Sequence, residues 1–378
     1  MKKVLLLMSL ACLFAGCKTF GGSNGETLKL LETTTVVKDL SGNIINLEVV
    51  PLTSDSVLLG NVSKLVLTPS GYALLHGGEA FGFGEDGSFL HRFGRAGRGP
   101  GEYRSLNDIC VSQSGESLLC LTSMNEVISY SLDDGSLEWK TRTDLQGNTA
   151  AALLPWKEDS LALFVANPVM ADAGDLDKEF NCLKIIDSEG KITHEELLRT
   201  DFNVSMGFMS PTMQNAGNTY VLSYLPASGP CYLFDGRGMS ELCTLDFGKD
   251  ALPDKFAFKG YSDPWMSVGD IFEKPYYKCP STVGVFGDFI FCTAFFENST
   301  VWNFISDGRK GIRWQSVPEQ GQPIWPLAAD GKYLYYVYGD YGKTDSDDPL
   351  KRQLIEGGLV LQPEENPVIV KVEYGLNK

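Results

Sequence analysis

The chain has 378 residues, and its 48 acidic and 32 basic side chains give a formal net charge of −16. Such an acidic protein is repelled by nucleic acid phosphates and by anionic lipid surfaces, so binding to either by charge is not expected. Only three histidines are present, no two of them spaced by two or four residues, and no C-x-x-C motif occurs. These spacings argue against a zinc site or a thioredoxin-like site.

The first 16 residues predict a signal peptide. Lys2 and Lys3 precede an apolar run, Val4–Phe14, which is too short to span a bilayer. The run leads into LFAGC, which resembles a bacterial lipobox, and this resemblance implies cleavage before Cys17 and acylation of that residue. Phe14 departs from the lipobox pattern, and an ordinary signal peptide with an incidental cysteine is the alternative. Two or more acyl chains would hold the protein stably on a membrane.

The cysteine pattern does not decide whether disulfides form. Nine cysteines become seven once Cys12 is cleaved off and Cys17 is acylated, so at least one thiol is free. An exported location permits disulfides, but directly opposed strand positions fit their geometry poorly. The two possible pairs, each flanking one predicted hairpin, are Cys110 with Cys120 and Cys231 with Cys243.

After residue 58 the sequence predicts short strands. Apolar or alternating runs such as SKLVLT, GYALLHG and KYLYYVYG are separated by turn residues, and no amphipathic helix of 12 or more residues stands out. One unit recurs, an apolar strand followed by a tight turn and a second apolar strand, and three of the five steps are close to 44 residues. The six turns are Ser70-Gly71, Ser114-Gly115, Glu158-Asp159, Ala216-Gly217, Gly287-Asp288 and Asp330-Gly331.

Most units carry a second hairpin, so each unit has four strands. The second turns are Asp86-Gly87, Asp134-Gly135, Glu189-Gly190, Asp235-Gly236 and Asp307-Gly308. Four strands at this spacing are typical of a propeller blade, and six units predict an all-β, six-bladed β-propeller. The sixth unit lacks a second turn, and its outer strands are expected near Gly358–Gln362 and Val368–Tyr374. The N-terminal stretch, Thr33–Lys38 and Ile44–Val50, is left over, and we expect it to pair with the blade that contains Tyr333–Tyr338, which closes the ring and removes an exposed edge.

The stretch HRFGRAGRGPGEYRSLNDICVS, starting at His91, follows the first unit. With this layout, residues 58–130 resemble the six-bladed β-propeller lipoproteins of Bacteroidetes, which are related in fold to NHL and TolB-like propellers. The resemblance implies that fold and an envelope location, and it implies no reaction.

Gly94–Tyr103 within this stretch is a loop between the first two blades, predicted on the face of the long connections and close to the central channel. Arg95, Arg98 and Glu102 lie within reach of one another. In one interpretation an Arg–Glu pair and the packing of Tyr103 staple the two blades together. In the other, one arginine clamps a carboxylate or phosphate of a ligand at the channel mouth.

Two further groups of residues are candidates. The aromatic connection Gly248–Pro280 contains Tyr261, Trp265 and Tyr276, which could stack on sugars or grip a partner, or could fold the connection onto the propeller. The second group lies at the starts of inner strands and consists of Asn61, Asn107, Asp108 and Asn148. The architecture resembles six-bladed lactonases, which implies calcium held in the channel by carboxylate and Asn oxygens. Simple capping of the strand starts by Asn is the alternative.

The sequence therefore predicts a signal peptide at 1–16, an acylated cysteine and flexible tether at 17–32, and one propeller at 33–378. The expected protein is a lipid-anchored outer-membrane protein without a resident cofactor, whose propeller is a ligand- or protein-binding or assembly module. Its expected partners are the outer membrane through the anchor and an envelope protein, a carbohydrate or an anionic small molecule, but not nucleic acid. Acidic residues directly after the lipidated cysteine would resemble a surface-export signal of this phylum. Residues 18–20 contain none, which favours the periplasmic face.

Two alternatives to this binding module stay open. One is a calcium-dependent hydrolase or lactonase with its site in the channel. The other is a purely structural component of an outer-membrane complex.

Overall fold

The computed structural model describes residues 25–53, 55–145, 148–157, 160–165, 180–199, 213–223, 228–253, 273–297, 300–316, 325–339, 348–360 and 365–376. Within these residues the chain is mainly β-strand, with two short α-helices, α1 at Leu30–Thr33 and α2 at Pro349–Glu356. Neither helix is long and apolar enough to cross a membrane. In chain order the strands are β1 (Glu26–Lys29), β2 (Thr34–Val36), β3 (Ile44–Pro51), β4 (Val62–Thr68), β5 (Gly71–His76), β6 (Glu79–Gly84), β7 (Phe89–Phe93), β8 (Arg95–Ala96), β9 (Glu102–Tyr103), β10 (Leu106–Val111), β11 (Ser117–Thr122), β12 (Glu126–Ser131), β13 (Leu137–Arg142), β14 (Ala152–Pro155), β15 (Ser160–Phe164), β16 (Phe180–Asp187), β17 (Ile192–Arg199), β18 (Gln214–Asn215), β19 (Thr219–Ser223), β20 (Gly229–Phe234), β21 (Met239–Asp246), β22 (Lys278–Phe286), β23 (Phe289–Phe296), β24 (Thr300–Ser306), β25 (Gly311–Ser316), β26 (Ala328–Ala329), β27 (Leu334–Tyr338) and β28 (Val368–Tyr374).

Most of these strands fall into six antiparallel sets of four. Sets 1 to 5 each consist of four consecutive strands, namely β4–β7, β10–β13, β14–β17, β18–β21 and β22–β25. Set 6 combines β26, β27 and β28 with the N-terminal strand β3. The all-β fold predicted from the sequence is confirmed, and the sheets are arranged as in a β-propeller. That the six sets are the six blades of one ring stays a prediction.

The core lies between neighbouring sets. One buried cluster joins Ala73 and Leu75 of set 1 to Ile109 and Leu118 of set 2. Because a set is covered on both faces by its neighbours, its central strands are buried almost throughout, as in β5 and β11. This explains why the corresponding sequence reads as continuous apolar runs rather than as strict alternation.

The second turns of sets 1, 2 and 3 pack against the set before them. Each turn has a glycine with a φ between +71° and +82°. A Cβ added to that glycine would come within about 3 Å of a carbonyl oxygen near the end of the outermost strand of the preceding set. Glycine is therefore required both by the left-handed backbone and by the close approach. The three contacts are Gly87 with Pro51, Gly135 with Arg92 and Gly190 with Arg142. Since Pro51 ends β3, the N-terminal strand contacts set 1 in the way that β7 contacts set 2.

The N-terminal segment Glu26–Pro51, called the strap below, covers the outer edges of three sets. β1 adds to β21 of set 4 and β2 adds to β25 of set 5, both in parallel, while β3 pairs antiparallel with β28 of set 6. Leu28 and Leu30 are buried, and Arg313 Nη1 donates hydrogen bonds to the carbonyl oxygens of Leu31 and Thr34.

The strap and the last set differ from the sequence prediction in three places. Within the segment predicted as a flexible tether, Glu26–Lys29 forms a strand, because the edge of set 4 offers free backbone groups to it. Residues 34–36 pair with set 5, not set 6. Residues 358–360 form no strand, and β28 is the third strand of set 6 rather than the fourth, since β3 takes the outermost position.

Candidate functional site

The loop Gly94–Tyr103 is closed on itself by Glu102. Arg95 Nε donates a hydrogen bond of 2.6 Å to Glu102 Oε1, and Gly99 N donates one of 2.7 Å to Glu102 Oε2. The Gly99 amide and then the Arg95 guanidinium hold the pKa of the Glu102 carboxyl below its ordinary value. The Arg95 side chain is 71% exposed and that of Glu102 only 18%. The Arg98 side chain is exposed, and it forms no ion pair within the described part of the chain.

The same loop lies over the outer strands of sets 1 and 2. Tyr103 is buried, and its hydroxyl donates to the carbonyl oxygen of Phe93 at the end of β7. From β12, Tyr130 Oη donates a hydrogen bond of 2.6 Å to Gly101 O. The prediction that the loop lies close to the channel is therefore wrong, because its glycines let it fold back onto the outer strands. These contacts favour the staple interpretation over the clamp.

A buried ion pair crosses the inner strands of sets 1 and 2. Lys64 Nζ lies 2.5 Å from Asp108 Oδ1, and both side chains are 5% exposed. Asp108 Oδ2 accepts a hydrogen bond from Leu153 N of set 3, and Lys64 Nζ lies 5.4 Å from the ring centroid of Tyr220 in set 4. Burial raises the pKa of the Asp108 carboxyl, and the Lys64 ammonium opposes that effect. The pair thus connects four sets at the channel.

Each of the residues proposed for calcium makes a contact within the protein. Both oxygens of Asp108 accept hydrogen bonds from the protein. Asn107 Nδ2 donates to Ala150 O, Asn148 Nδ2 donates to Leu145 O, and the carbonyl oxygen of Asn61 lies 2.9 Å from the His76 ring. In the described ranges no three His, Cys, Asp or Glu side chains are grouped so that they could hold a metal ion.

Three amide side chains of set 4 contact other sets near the tight-turn end of the channel, and two of them, Gln214 and Asn218, bridge it. Gln214 Oε1 accepts a hydrogen bond of 2.5 Å from Leu67 N of set 1, although Gln214 belongs to set 4. Asn218 Nδ2 donates to Val111 O of set 2, and Asn215 Oδ1 accepts from Val285 N of set 5. Direct contacts between sets that are not consecutive mean that side chains close the channel at this level. Sequence reasoning missed this group, although QNAGN is an unusually amide-rich hairpin.

A cavity of about 620 Å³ opens on the long-connection face of set 2, at the end of β13. It lies within the size range of small-molecule sites. Asn148, a candidate from the sequence, is one of its residues, while the others were missed. The Thr143 side chain is buried, and its hydroxyl has no hydrogen-bond partner among the described residues. The lining consists of Ser123, Met124, Asn125, Arg142, Thr143, Asp144, Leu145, Asn148 and Thr149.

The aromatic candidates divide between two regions. Tyr276 is half-buried and packs against an apolar core cluster, and the neighbouring Tyr277 stacks on Phe247 with ring centroids 5.0 Å apart. This packing favours the structural interpretation for Tyr276. Tyr261 and Trp265 lie outside the described residues, as does the lipidation candidate Cys17.

Five cysteines are reduced and buried, namely Cys110, Cys120, Cys231, Cys243 and Cys292. Cys231 and Cys243 stand directly opposite each other on β20 and β21, whereas Cys110 is opposite Leu119 and not Cys120. Burial raises the pKa of the Cys110 thiol. Neither of the two disulfides left open by the sequence is present in the structure.

Two solved structures share the fold. The first is a protein of Bacteroides fragilis described as exported, with 16% identity, a TM-score of 0.63, and coverage of 90% of this chain and 100% of that chain. The second is a member of the DUF4221 family from Bacteroides vulgatus, with 10% identity, a TM-score of 0.54, and coverage of 88% and 97%. At these identities the likeness concerns the fold alone. No curated protein matches the sequence. The profile of a domain of unknown function, DUF4934, matches residues 31–373, and the chain belongs to this family.

Proposed function

We propose that this protein is an envelope lipoprotein, anchored through Cys17 at the periplasmic face of the outer membrane, whose six-bladed propeller acts as a binding or assembly module. The location is supported by the basic and apolar N-terminus ending in LFAGC, and by the exported character of the similar Bacteroides fragilis protein. The six blades are supported by the six four-stranded sets and by the contact of β3 with set 1.

The bridged channel is the observation that carries the binding function. The Lys64–Asp108 pair and the amide of Gln214 fill the space where a propeller enzyme would hold its substrate. Both carboxylate oxygens of Asp108 and both polar ends of the Gln214 amide are hydrogen-bonded within the protein, which leaves them unavailable for chemistry on a ligand. Recognition then falls to the outer surface, where the cavity at the end of β13 opens. No cluster within the described residues favours the calcium-dependent hydrolase.

The anchoring half of the proposal is tested with Cys17→Ser. The wild-type protein should incorporate labelled palmitate and sediment with outer membranes, and the variant should do neither. A variant that still sediments would overturn the lipid anchor.

The binding half is tested in intact cells with a photo-crosslinking residue at the cavity. In one variant the photo-crosslinking residue replaces Met124, which is 45% exposed in the cavity wall. In the control variant it replaces Leu58, which is 65% exposed and lies outside the cavity. A discrete cross-linked species that is specific to position 124 supports a binding module. Absence of any adduct from both positions, together with turnover of an ester or lactone by the purified protein, would favour the enzyme instead.

A further inference from the structure

The molecule already extends its own sheets by adding strands at their outer edges. β1 adds in parallel to β21, and β2 adds in parallel to β25. β13 is the outermost strand of set 2, and within the described chain no strand pairs with its outer edge. An open edge presents unpaired N–H and C=O groups and can accept a strand from another chain. Set 2 therefore has the kind of edge that the strap covers on sets 4 and 5.

This edge also carries exposed apolar side chains. Leu137 is 42% exposed and Trp139 is 39% exposed, and no other described strand carries two large exposed apolar side chains. Tryptophan is one of the three residue types enriched among those that dominate protein–protein binding energy. The loop Gly94–Tyr103 supports the strand from one side, since Gly101 lies against Leu137. The loop thus supports the edge strand, and the strand exposes two apolar side chains.

Charge along β13 changes sign from its beginning to its end. Asp133 and Asp134 lie in the turn before the strand, and Glu138 follows near its start. The end of the strand carries Lys140, which pairs with Glu126, and the exposed Arg142, which has no ion-pair partner within the described chain. Arg142 also lines the cavity that contains the buried hydroxyl of Thr143. A negatively charged group that arrives at the end of β13 would meet the Arg142 guanidinium and the Thr143 hydroxyl, with the exposed carboxylate of Asp144, another cavity residue, beside them.

We propose that the outer edge of β13 accepts an extended segment of a partner protein as a fifth, parallel strand, with acidic residues in the second half of that segment. A parallel strand runs in the direction of β13, so its first half faces the acidic turn and its second half arrives at Arg142 and the cavity. Backbone pairing along β13 gives affinity, Trp139 gives apolar contact, and the charge gradient fixes the direction. This inference rests on the proposed binding function and names the surface and the partner.

The test uses two peptides of identical composition and the purified chain without its signal peptide. Both are ten-residue peptides of alternating valine and threonine that carry two glutamates in one half and two lysines in the other. The glutamates stand in the C-terminal half of the first peptide and in the N-terminal half of the second. Affinity is measured by fluorescence anisotropy at low and physiological salt, and hydrogen exchange of residues 137–142 reports pairing at the edge.

The first peptide should bind at least tenfold more tightly than the second and should slow amide exchange within 137–142. Arg142→Gln should remove the preference between the peptides, and Trp139→Ser should weaken both, while Arg309→Gln, at an exposed turn of set 5, should change neither. Equal affinity of the two peptides, no binding, or protection confined to other strands would overturn the proposal. Because this measurement is independent of the membrane, its failure leaves the anchoring and cross-linking results standing.

Discussion

Lys64 and Asp108 form a 2.5 Å ion pair between the inner strands of neighbouring sets, and they lie 44 residues apart in sequence, one repeat of the fold. The two residues thus occupy corresponding positions in successive units and meet where these units adjoin at the channel. Burying either charge alone would cost several kcal/mol of desolvation free energy, and the attraction between the two opposite charges offsets part of that cost.

Removal of one partner of this pair should be much worse than removal of both. Asp108→Ala leaves a buried ammonium and should cost about 3–5 kcal/mol of the free energy of unfolding. The double variant Lys64→Met/Asp108→Leu replaces the pair by apolar groups of similar size and should recover most of that loss. Urea unfolding of both variants and the wild type measures this. If the double variant is as unstable as the single one, the pair is needed for its hydrogen bonds, including the one to Leu153, and not for charge balance.

The staple role of Glu102 predicts a pH-dependent contribution to stability. Hydrogen bonds from Gly99 and Arg95 hold the pKa of the folded-state carboxyl below its ordinary value. As pH falls, Glu102 is therefore protonated in the unfolded chain at a higher pH than in the folded protein. The stabilisation is full above the ordinary pKa of about 4.3 and is lost as pH falls through the pKa of the folded state. Glu102→Gln should be less stable than wild type at pH 7, and the gap should shrink between pH 5 and pH 3. Chemical denaturation across this range checks it. A gap that is constant with pH would mean that the carboxylate charge contributes nothing.

The repeat could be predicted because its signals are local. Ser-Gly and Asp-Gly turns, apolar runs and their spacing near 44 residues all lie within single units, and they locate most of the described hairpins. The strap could not be predicted in the same way. Glu26–Lys29 is short, and it is a strand because its backbone completes the edge of β21, more than 200 residues away.

The candidate site was harder to predict for the same reason. Lys64 was visible as a charge inside an apolar run, but its partner depends on how two units face each other. The amides of Gln214, Asn215 and Asn218 contact sets 1, 2 and 5, and no pattern within one unit indicates such contacts. The loop Gly94–Tyr103 was recognised as a staple candidate from Arg95 and Glu102, yet its position at the outer strands follows from Tyr130 and Leu137 in the next set.

Closure of the ring by β3 is tested at Gly87. Gly87 has φ +82°, and an added Cβ would collide with the carbonyl of Pro51 at the end of β3. Gly217 has φ +69° with nothing within 4 Å of its Cβ position, so Gly217→Ala measures the backbone strain alone. We expect Gly217→Ala to cost about 1–2 kcal/mol and Gly87→Ala to cost more. Thermal unfolding of the two variants gives the difference. Equal losses would show that the approach of β3 to set 1 contributes nothing to stability.

The strap should behave as part of the folded domain and not as a tether. Leu30 is fully buried against the core of sets 4 and 5, whereas Val36, six residues later in the same strap, is 47% exposed. Leu30→Ala should therefore cost roughly 2–5 kcal/mol, because it removes buried methyl groups and leaves a cavity. Val36→Ala should stay within about 0.5 kcal/mol of wild type. Urea unfolding followed by tryptophan fluorescence reports the whole domain, and amide exchange at β1 and β2 reports the strap. Loss of protection at β1 in Leu30→Ala with unchanged global stability would mean that the strap can detach while the propeller stays folded.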